Sequence, residues 1–206
     1  MISLEEYSNK FYSGKDLIFE CENIFIENFL SQELIARSDK NILFDFGCGS
    51  GDWLKYYKKV AHKIYATDKN NQAVDFCKKK YCQDNNITIF NYNEKSIKLQ
   101  NSSIDIITIF WVFQEILDDE EFYGIIMEFN RILKKGGFII VVDNQYSNIR
   151  ESVESTKYGE KMMNKQGDII RQFRNNTLSC LFKEFNYNIR KHEEFGMSFC
   201  ELYQKT

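Results

Sequence analysis

The residues with the clearest chemical potential are Asp45-Phe46-Gly47-Cys48-Gly49-Ser50-Gly51, which leave a short apolar run and enter a helical pattern. Glycine at every second position lets the backbone turn tightly and approach a ligand with no Cβ in the way. A helix that follows such a turn offers unpaired N–H groups and the positive end of its dipole. Asp68 closes the next apolar run, Ile64-Tyr65-Ala66-Thr67, where a carboxylate can accept hydrogen bonds from both hydroxyls of a ribose. Either feature alone has a plain structural use, the glycines for packing and the acid as a helix cap. Together, each at the end of a strand, they point to a nucleoside-containing cofactor. The spacing is G-x-G-x-G, tighter than the dinucleotide fingerprint G-x-G-x-x-G, and Asp52 stands where that fingerprint wants its last glycine. Its charge would face a pyrophosphate, which speaks against a nicotinamide-dependent oxidoreductase. No phosphate-binding G-x-x-x-x-G-K-S/T occurs.

The elements that must position these residues can be read from hydrophobic period. Asn41 to Phe46, Lys63 to Thr67, Ile87 to Asn91, Ile104 to Phe110 and Phe138 to Val142 read as five strands, the fourth buried on both faces. Helical stretches run through Trp53, Leu54 and Tyr57, and through Ala73, Val74, Cys77 and Tyr81. The clearest helix lies between Asp118 and Lys134, with acids at its start, Lys134-Lys135 at its end and Gly136-Gly137 to stop it. Strand alternating with helix at this rhythm gives an α/β fold with a parallel sheet covered on both faces. Two helical patterns precede the first strand, around Tyr7 and Phe11 and from Ile18 to Phe29. Periodicity weakens from Asp143 to about Asn176, beyond the carboxyl end of the fifth strand, where open α/β sheets place ligands, so a polar lid is expected there. A helix with Leu178, Leu181, Phe182 and Phe185 on one face and two short strands, Arg190 to Phe195 and Phe199 to Tyr203, close the chain.

The 206 residues read as one domain: an N-terminal helical cap over 1–38, a cofactor-binding core over 39–145, a substrate lid over 146–176 and a C-terminal helix and strand pair over 177–206. A chain of this size buries roughly 70% of its extended surface, so its core needs no metal or disulfide staple. A content of 43% hydrophobic and 28% charged residues excludes a disordered chain. The net charge of −3 supplies no field for nucleic acid or anionic lipid. No apolar run is long enough to span a membrane, and no basic segment leads an apolar one at the N-terminus. Six cysteines without a C-x-x-C, and two histidines without ligand spacing, give no metal set and fit reduced thiols in a cytoplasmic protein.

In order along the chain, these motifs resemble the class I S-adenosylmethionine-dependent methyltransferases. The resemblance rests on Asp45-x-Gly47-x-Gly49-x-Gly51, Asp68, Asn93-Glu94 after the third strand, Ser103-Ile104-Asp105 leading the fourth, and Leu133-Lys134-Lys135-Gly136-Gly137 before the fifth, and it covers roughly 40–145. It implies a Rossmann-like doubly wound sheet of seven strands, mostly parallel with an antiparallel C-terminal strand, and S-adenosylmethionine as cofactor. Carried over residue by residue, it implies that Asp45, Gly47, Cys48, Gly49 and Gly51 line the cofactor and that Asp68 holds the ribose. It puts Asn93 and Glu94 near the adenine amine, Lys69 over the adenine face, and Phe110 and Trp111 at the cofactor's border. Asn93 and Lys69 depart from the family's usual acid and apolar residue; an amide oxygen still accepts, and a lysine stem still packs.

A sulfonium carries an activated methyl, so the protein's task is mainly to align a nucleophile. Where the acceptor's proton is tightly held, a base is needed, and Glu115 after the fourth strand is best placed, with Asp143 past the fifth next. His62 lies in the turn before the second strand, and His192 near the start of the sixth. Tyr7 and Tyr12 could cover the acceptor, and Arg171 and Arg174 could grip an anionic group on it. The absence of proline removes the Asn/Asp-Pro-Pro-Tyr stretch of base- and glutamine-modifying relatives and the Pro-Cys pair of cytosine-C5 enzymes. The expectation is therefore a small-molecule acceptor, with oxygen slightly favoured over nitrogen and a sugar, sugar nucleotide or other anionic metabolite as its class. A non-catalytic cofactor-binding subunit of a complex and a protein-substrate methyltransferase are the alternatives.

Overall fold

The computed structural model describes Asn28 and residues 40–92, 96–146, 152–163, 167–174, 176–195 and 198–206. The chain divides into two compact units at Asn93/Glu94. The N-terminal helical patterns, with Tyr7 and Tyr12, and the Asn93-Glu94 pair lie outside the described residues.

The first unit carries three parallel strands, β1 (Ile42–Phe46), β2 (Lys63–Asp68) and β3 (Ile87–Asn91), with a one-turn helix α1 (Leu54–Tyr57) and α2 (Asn71–Lys80) between them. β1 pairs with β2 in the register Ile42 to Lys63 through Phe46 to Thr67, which brings the ends of both strands level. Leu43, Phe44 and Ile64 are fully buried, and Phe44 stacks on Phe90 of β3 at 6.2 Å. Asn70 caps α2 by accepting the Gln72 amide, and Ala73, Val74 and Cys77 form its buried stripe.

The second unit opens with β4 (Ile104–Phe110), a short 3-10 turn (Phe113–Glu115), α3 (Asp119–Ile132) and β5 (Leu133–Asn144). Six of the seven β4 residues are buried, as a parallel strand covered on both faces requires. Asp118 caps α3 by accepting the Glu121 amide at 2.7 Å, and Phe122, Ile125, Ile126, Phe129 and Ile132 bury one face. The glycine pair does not stop this helix. Leu133 already has extended backbone, and β5 begins there. Ile104 pairs with Leu133 but Ile106 with Phe138, so the residues from Lys134 to Gly137 bulge out of the ladder, with Gly136 at φ 79°.

The stretch expected to be an irregular lid is a three-stranded antiparallel sheet of β6 (Ser152–Thr156), β7 (Gly159–Met163) and β8 (Ile169–Gln172). α4 (Thr177–Glu184), β9 (Tyr187–Phe195) and β10 (Ser198–Lys205) complete the chain. The seven-stranded sheet has the order β3-β2-β1-β4-β5-β10-β9, with β10 antiparallel to both neighbours. That is the mostly parallel, Rossmann-like architecture with an antiparallel C-terminal strand. Among the described residues, no helix is long and apolar enough to cross a membrane.

Candidate active site

In the first unit the turn after β1 is held from below. The amides of Gly47 and Cys48 both donate to the Thr67 carbonyl, at 2.8 and 2.9 Å, and Gly51 donates to the Cys48 carbonyl at 2.8 Å. Gly47, Gly49 and Gly51 have φ of 84°, 50° and 73°, left-handed backbone that explains why glycine occupies all three positions. A Cβ on Gly51 would stand 2.8 Å from Cys77 Sγ and 2.9 Å from Tyr81. The Tyr81 hydroxyl donates to the Gly51 carbonyl at 2.6 Å, and burial pushes its pKa up to about 12. Cys77 donates to the Gly49 carbonyl at 3.1 Å and hydrogen-bonds Cys48; that bond, with burial second, raises the Cys48 thiol well above its ordinary range. Cys48 is therefore a neutral wall residue, without thiolate chemistry.

Asp68 ends β2 half-exposed, as its place in the sequence required. Its Oδ2 accepts the Gly49 amide at 2.8 Å and its Oδ1 the Asn70 amide at 2.8 Å. A carboxylate accepts about four hydrogen bonds, so each oxygen keeps capacity for a hydroxyl donor. This pair of acceptors fits the two hydroxyls of a ribose. Asp45 is buried near the end of β1, and Lys69 is exposed just past Asp68. Asp52 is salt-bridged to Lys80 at 2.7 Å and accepts Ser50 Oγ. Burial opposes its ionisation, but Lys80 and Ser50 together hold its carboxyl below the ordinary range.

In the second unit, the end of β4 carries Phe110, buried, and Trp111, half-buried, with their rings edge to face at 6.3 Å. Trp111 has φ 54°, a conformation that costs a bulky residue about 1–3 kcal/mol and that concentrates at functional sites. Its amide donates to the Val142 carbonyl at 2.7 Å and its indole to Ser198 Oγ at 3.4 Å, which fixes the ring at the mouth of β4 and β10. No sequence pattern signals a left-handed Trp.

The two acids expected as bases take different positions. Asp143 is fully buried; its oxygens accept the backbone amides of Gln114 at 3.1 Å and Asn144 at 2.8 Å. Burial raises its carboxyl to about 7, against the lowering effect of those amides and with the Glu115 charge adding to the rise. Enclosed on all sides, Asp143 has no face for an acceptor and instead anchors the turn that carries Glu115. Glu115 itself is exposed, and partial desolvation, with the Asp168 charge second, raises its pKa.

The arginine pair separates in the same way. Arg171 is fully buried, and its guanidinium makes four hydrogen bonds and one ion pair within the chain. Nε donates to the Ile116 carbonyl, one terminal nitrogen to Thr156 Oγ1 and the Tyr158 carbonyl, and the other to the Leu117 carbonyl, with Asp119 paired at 2.7 Å. The expectation that Arg171 grips a substrate is corrected: its guanidinium stitches β8 to the loop after β4. Arg174 is exposed, pairs with buried Glu160 at 2.5 Å and lies over the Tyr146 ring at 5.4 Å.

Comparison with known proteins agrees with this geometry. Residues 44–141 match the family described as "Methyltransferase domain". A curated relative, the ubiquinone/menaquinone biosynthesis C-methyltransferase UbiE of Campylobacter jejuni, is 24% identical over 117 residues, 53% of this chain and 47% of the relative, so the match spans about half the relative's length. Among solved structures, a SAM-dependent methyltransferase from Aquifex aeolicus superposes with a TM-score of 0.66 at 16% identity, over 87% of this chain and 89% of that one. One from Methanosarcina mazei superposes with a TM-score of 0.69 at 18% identity, over 88% and 96%. Residues 44–141 thus match a methyltransferase domain, and the sheet order is that of the class I S-adenosylmethionine-dependent methyltransferase fold.

Proposed function

We propose that the chain transfers the methyl group of S-adenosylmethionine to a hydroxylated small-molecule acceptor, with O-methylation as the favoured outcome. The observation that carries this reading is the Asp68 carboxylate, oriented by the Gly49 amide and still able to receive two ribose hydroxyls. The cofactor supplies a methyl on a sulfonium leaving group. The chain's own residues do the rest: Asp68 holds the ribose, Asp45 and the turn from Gly47 to Gly51 line the methionine portion, and Lys69 packs its stem on the adenine. Asn93 and Glu94 complete the adenine side, and Phe110 and Trp111 exclude water from the border of the site.

On the acceptor side, Asp143 acts as a positioning residue for the 113–115 turn, and Glu115 accepts a hydrogen bond from the acceptor. Arg174 lends an N–H to an anionic group, while Tyr7 and Tyr12 cover the acceptor as part of the N-terminal cap, with residues 146–176 as a further cover. A second reading, C-methylation of a phenolic ring, is favoured by the name of the Campylobacter jejuni relative. Methyl-labelled S-adenosylmethionine, incubated with the chain and a panel of phenols, hydroxy acids and sugar nucleotides, separates the readings by the carbon shift of the product methyl. An oxygen-bound methyl supports the first and a ring-bound methyl the second. Product only with a protein acceptor, or only after a partner protein is added, replaces both.

A further inference from the structure

The end of α2 grips the glycine turn by three carbonyls in a row. Cys77, Lys80 and Tyr81 stand at i, i+3 and i+4, which places them on one side of the helix end. Cys77 Sγ donates to the Gly49 carbonyl at 3.1 Å, Lys80 Nζ to the Ser50 carbonyl at 3.1 Å, and the Tyr81 hydroxyl to the Gly51 carbonyl at 2.6 Å. Lys80 Nζ also reaches Asp52 Oδ1 at 2.7 Å, and Asp52 in turn accepts the Ser50 hydroxyl. So close an approach depends on the missing side chain of Gly51, whose Cβ would stand 2.8 Å from Cys77 Sγ and 2.9 Å from Tyr81.

Each of these carbonyls fixes a peptide plane. A trans peptide sets its N–H opposite its C=O, so the amides of Ser50, Gly51 and Asp52 are turned away from α2. Gly51 donates its amide to the Cys48 carbonyl at 2.8 Å. The amides of Ser50 and Asp52 have no acceptor among the described residues. Unpaired backbone N–H groups of a turn suit a carboxylate, and S-adenosylmethionine carries one at its amino-acid end. A turn with φ of 84°, 50° and 73° at its glycines, held by its own backbone alone, would have many conformations to lose on meeting a ligand. Side chains that fix it beforehand remove that cost from binding. Burial pushes the Tyr81 hydroxyl up to about 12, so it remains a donor throughout the neutral range.

We propose that Cys77, Lys80 and Tyr81 are positioning residues for the cofactor: by fixing three successive carbonyls of the glycine turn, they set the affinity for the amino-acid end of S-adenosylmethionine. They act through the turn, so their effect is confined to what the turn holds. The inference rests on the methyl-transfer reading above and extends the cofactor site to a helix end that its motifs do not include. Asp68 serves the ribose from β2, and α2 serves the methionine portion from behind the turn.

Isothermal titration with two ligands separates this role from plain packing. S-adenosylhomocysteine has the amino-acid end, whereas methylthioadenosine keeps the nucleoside and the sulfur but lacks it. Tyr81→Phe removes one hydroxyl, and Lys80→Met removes the ammonium while keeping most of the stem; urea unfolding checks that both variants are folded. Each should bind S-adenosylhomocysteine about five- to tenfold more weakly than wild type, while affinity for methylthioadenosine changes by less than about twofold. A second measurement needs no ligand. The Gly51 amide shares its peptide plane with the Ser50 carbonyl, so its hydrogen exchange should quicken about tenfold in Lys80→Met. Unchanged affinity for S-adenosylhomocysteine in the folded variants, an equal loss for both ligands, or unchanged exchange at Gly51 overturns the proposal. Wild type that binds neither ligand overturns the methyl-transfer reading and the proposal with it, whereas wild type and variants that bind S-adenosylhomocysteine alike overturn the proposal alone.

Discussion

Gly49 donates its amide to Asp68 Oδ2 at 2.8 Å, across nineteen positions of sequence, and so welds the glycine turn to the tip of β2. The carboxylate is thereby oriented before any ligand arrives. Preorganisation of this kind lets hydrogen bonds to a ribose form without first ordering the acid, which is where much of the cost of binding otherwise falls.

The turn's shape depends on Gly51. Gly51→Ala must place a Cβ 2.8 Å from Cys77 Sγ on backbone at φ 73°. The left-handed conformation costs about 1–2 kcal/mol for any L side chain, and the clash adds to it. Urea unfolding should show a loss of about 2–3 kcal/mol. Adding Cys77→Ala should recover only the steric part, and an undiminished midpoint in Gly51→Ala would contradict the packing described.

Asp143 ties stability to pH. Its carboxyl is raised from 3.8 to about 7 in the folded chain, so between those values the native state binds a proton that the unfolded state has lost. Stability from this group is complete at low pH and is lost as pH rises toward about 7, with a slope approaching about 1.4 kcal/mol per unit. Asp143→Asn carries no such proton. Urea unfolding of both proteins across that range should show wild type falling relative to the variant as pH rises, with the difference flat above about pH 8. Parallel pH dependence in the two would contradict the buried, raised carboxyl.

Arg171 is a structural cation. Arg171→Met removes four hydrogen bonds and the Asp119 ion pair, and leaves several buried carbonyls without their donor. Breaking a buried pair from one side costs about 3–5 kcal/mol. Arg171→Lys keeps the charge but not the fork, and should lose most of that stability too. A thermal melt within about 2 °C of wild type for either variant would contradict this role.

How far the sequence was legible follows from where side chains point. β3 and β4 were read to the residue, because Ile87, Ile89, Ile104, Ile106 and Ile107 keep an apolar pattern with sharp ends. The glycine turn and Asp68 were legible because few residue types tolerate those positions. The sheet of β6, β7 and β8 was not, because its buried positions include the polar Glu160, Arg171 and Gln172. Polar residues in buried positions break the hydrophobic period, and the Arg171 partners, the Ile116 and Leu117 carbonyls, lie 55 and 54 positions away. The same holds for His192, whose contact with Glu201 is legible only once β9 and β10 are in register. The left-handed Trp111 is likewise a product of tertiary context, fixed by Val142 and Ser198.

The most direct measurement is isothermal titration of the chain with S-adenosylhomocysteine, with NAD as control, in wild type and Asp68→Ala. Charge-assisted hydrogen bonds of about 1.5–3 kcal/mol each are lost in the variant, so affinity should fall at least about tenfold. Binding of S-adenosylhomocysteine by wild type, weakened to that degree in a folded Asp68→Ala and absent with NAD, is the result predicted. Wild type that binds neither ligand, or a variant that binds as tightly as wild type, would contradict the assignment of the glycine turn and Asp68 to the cofactor.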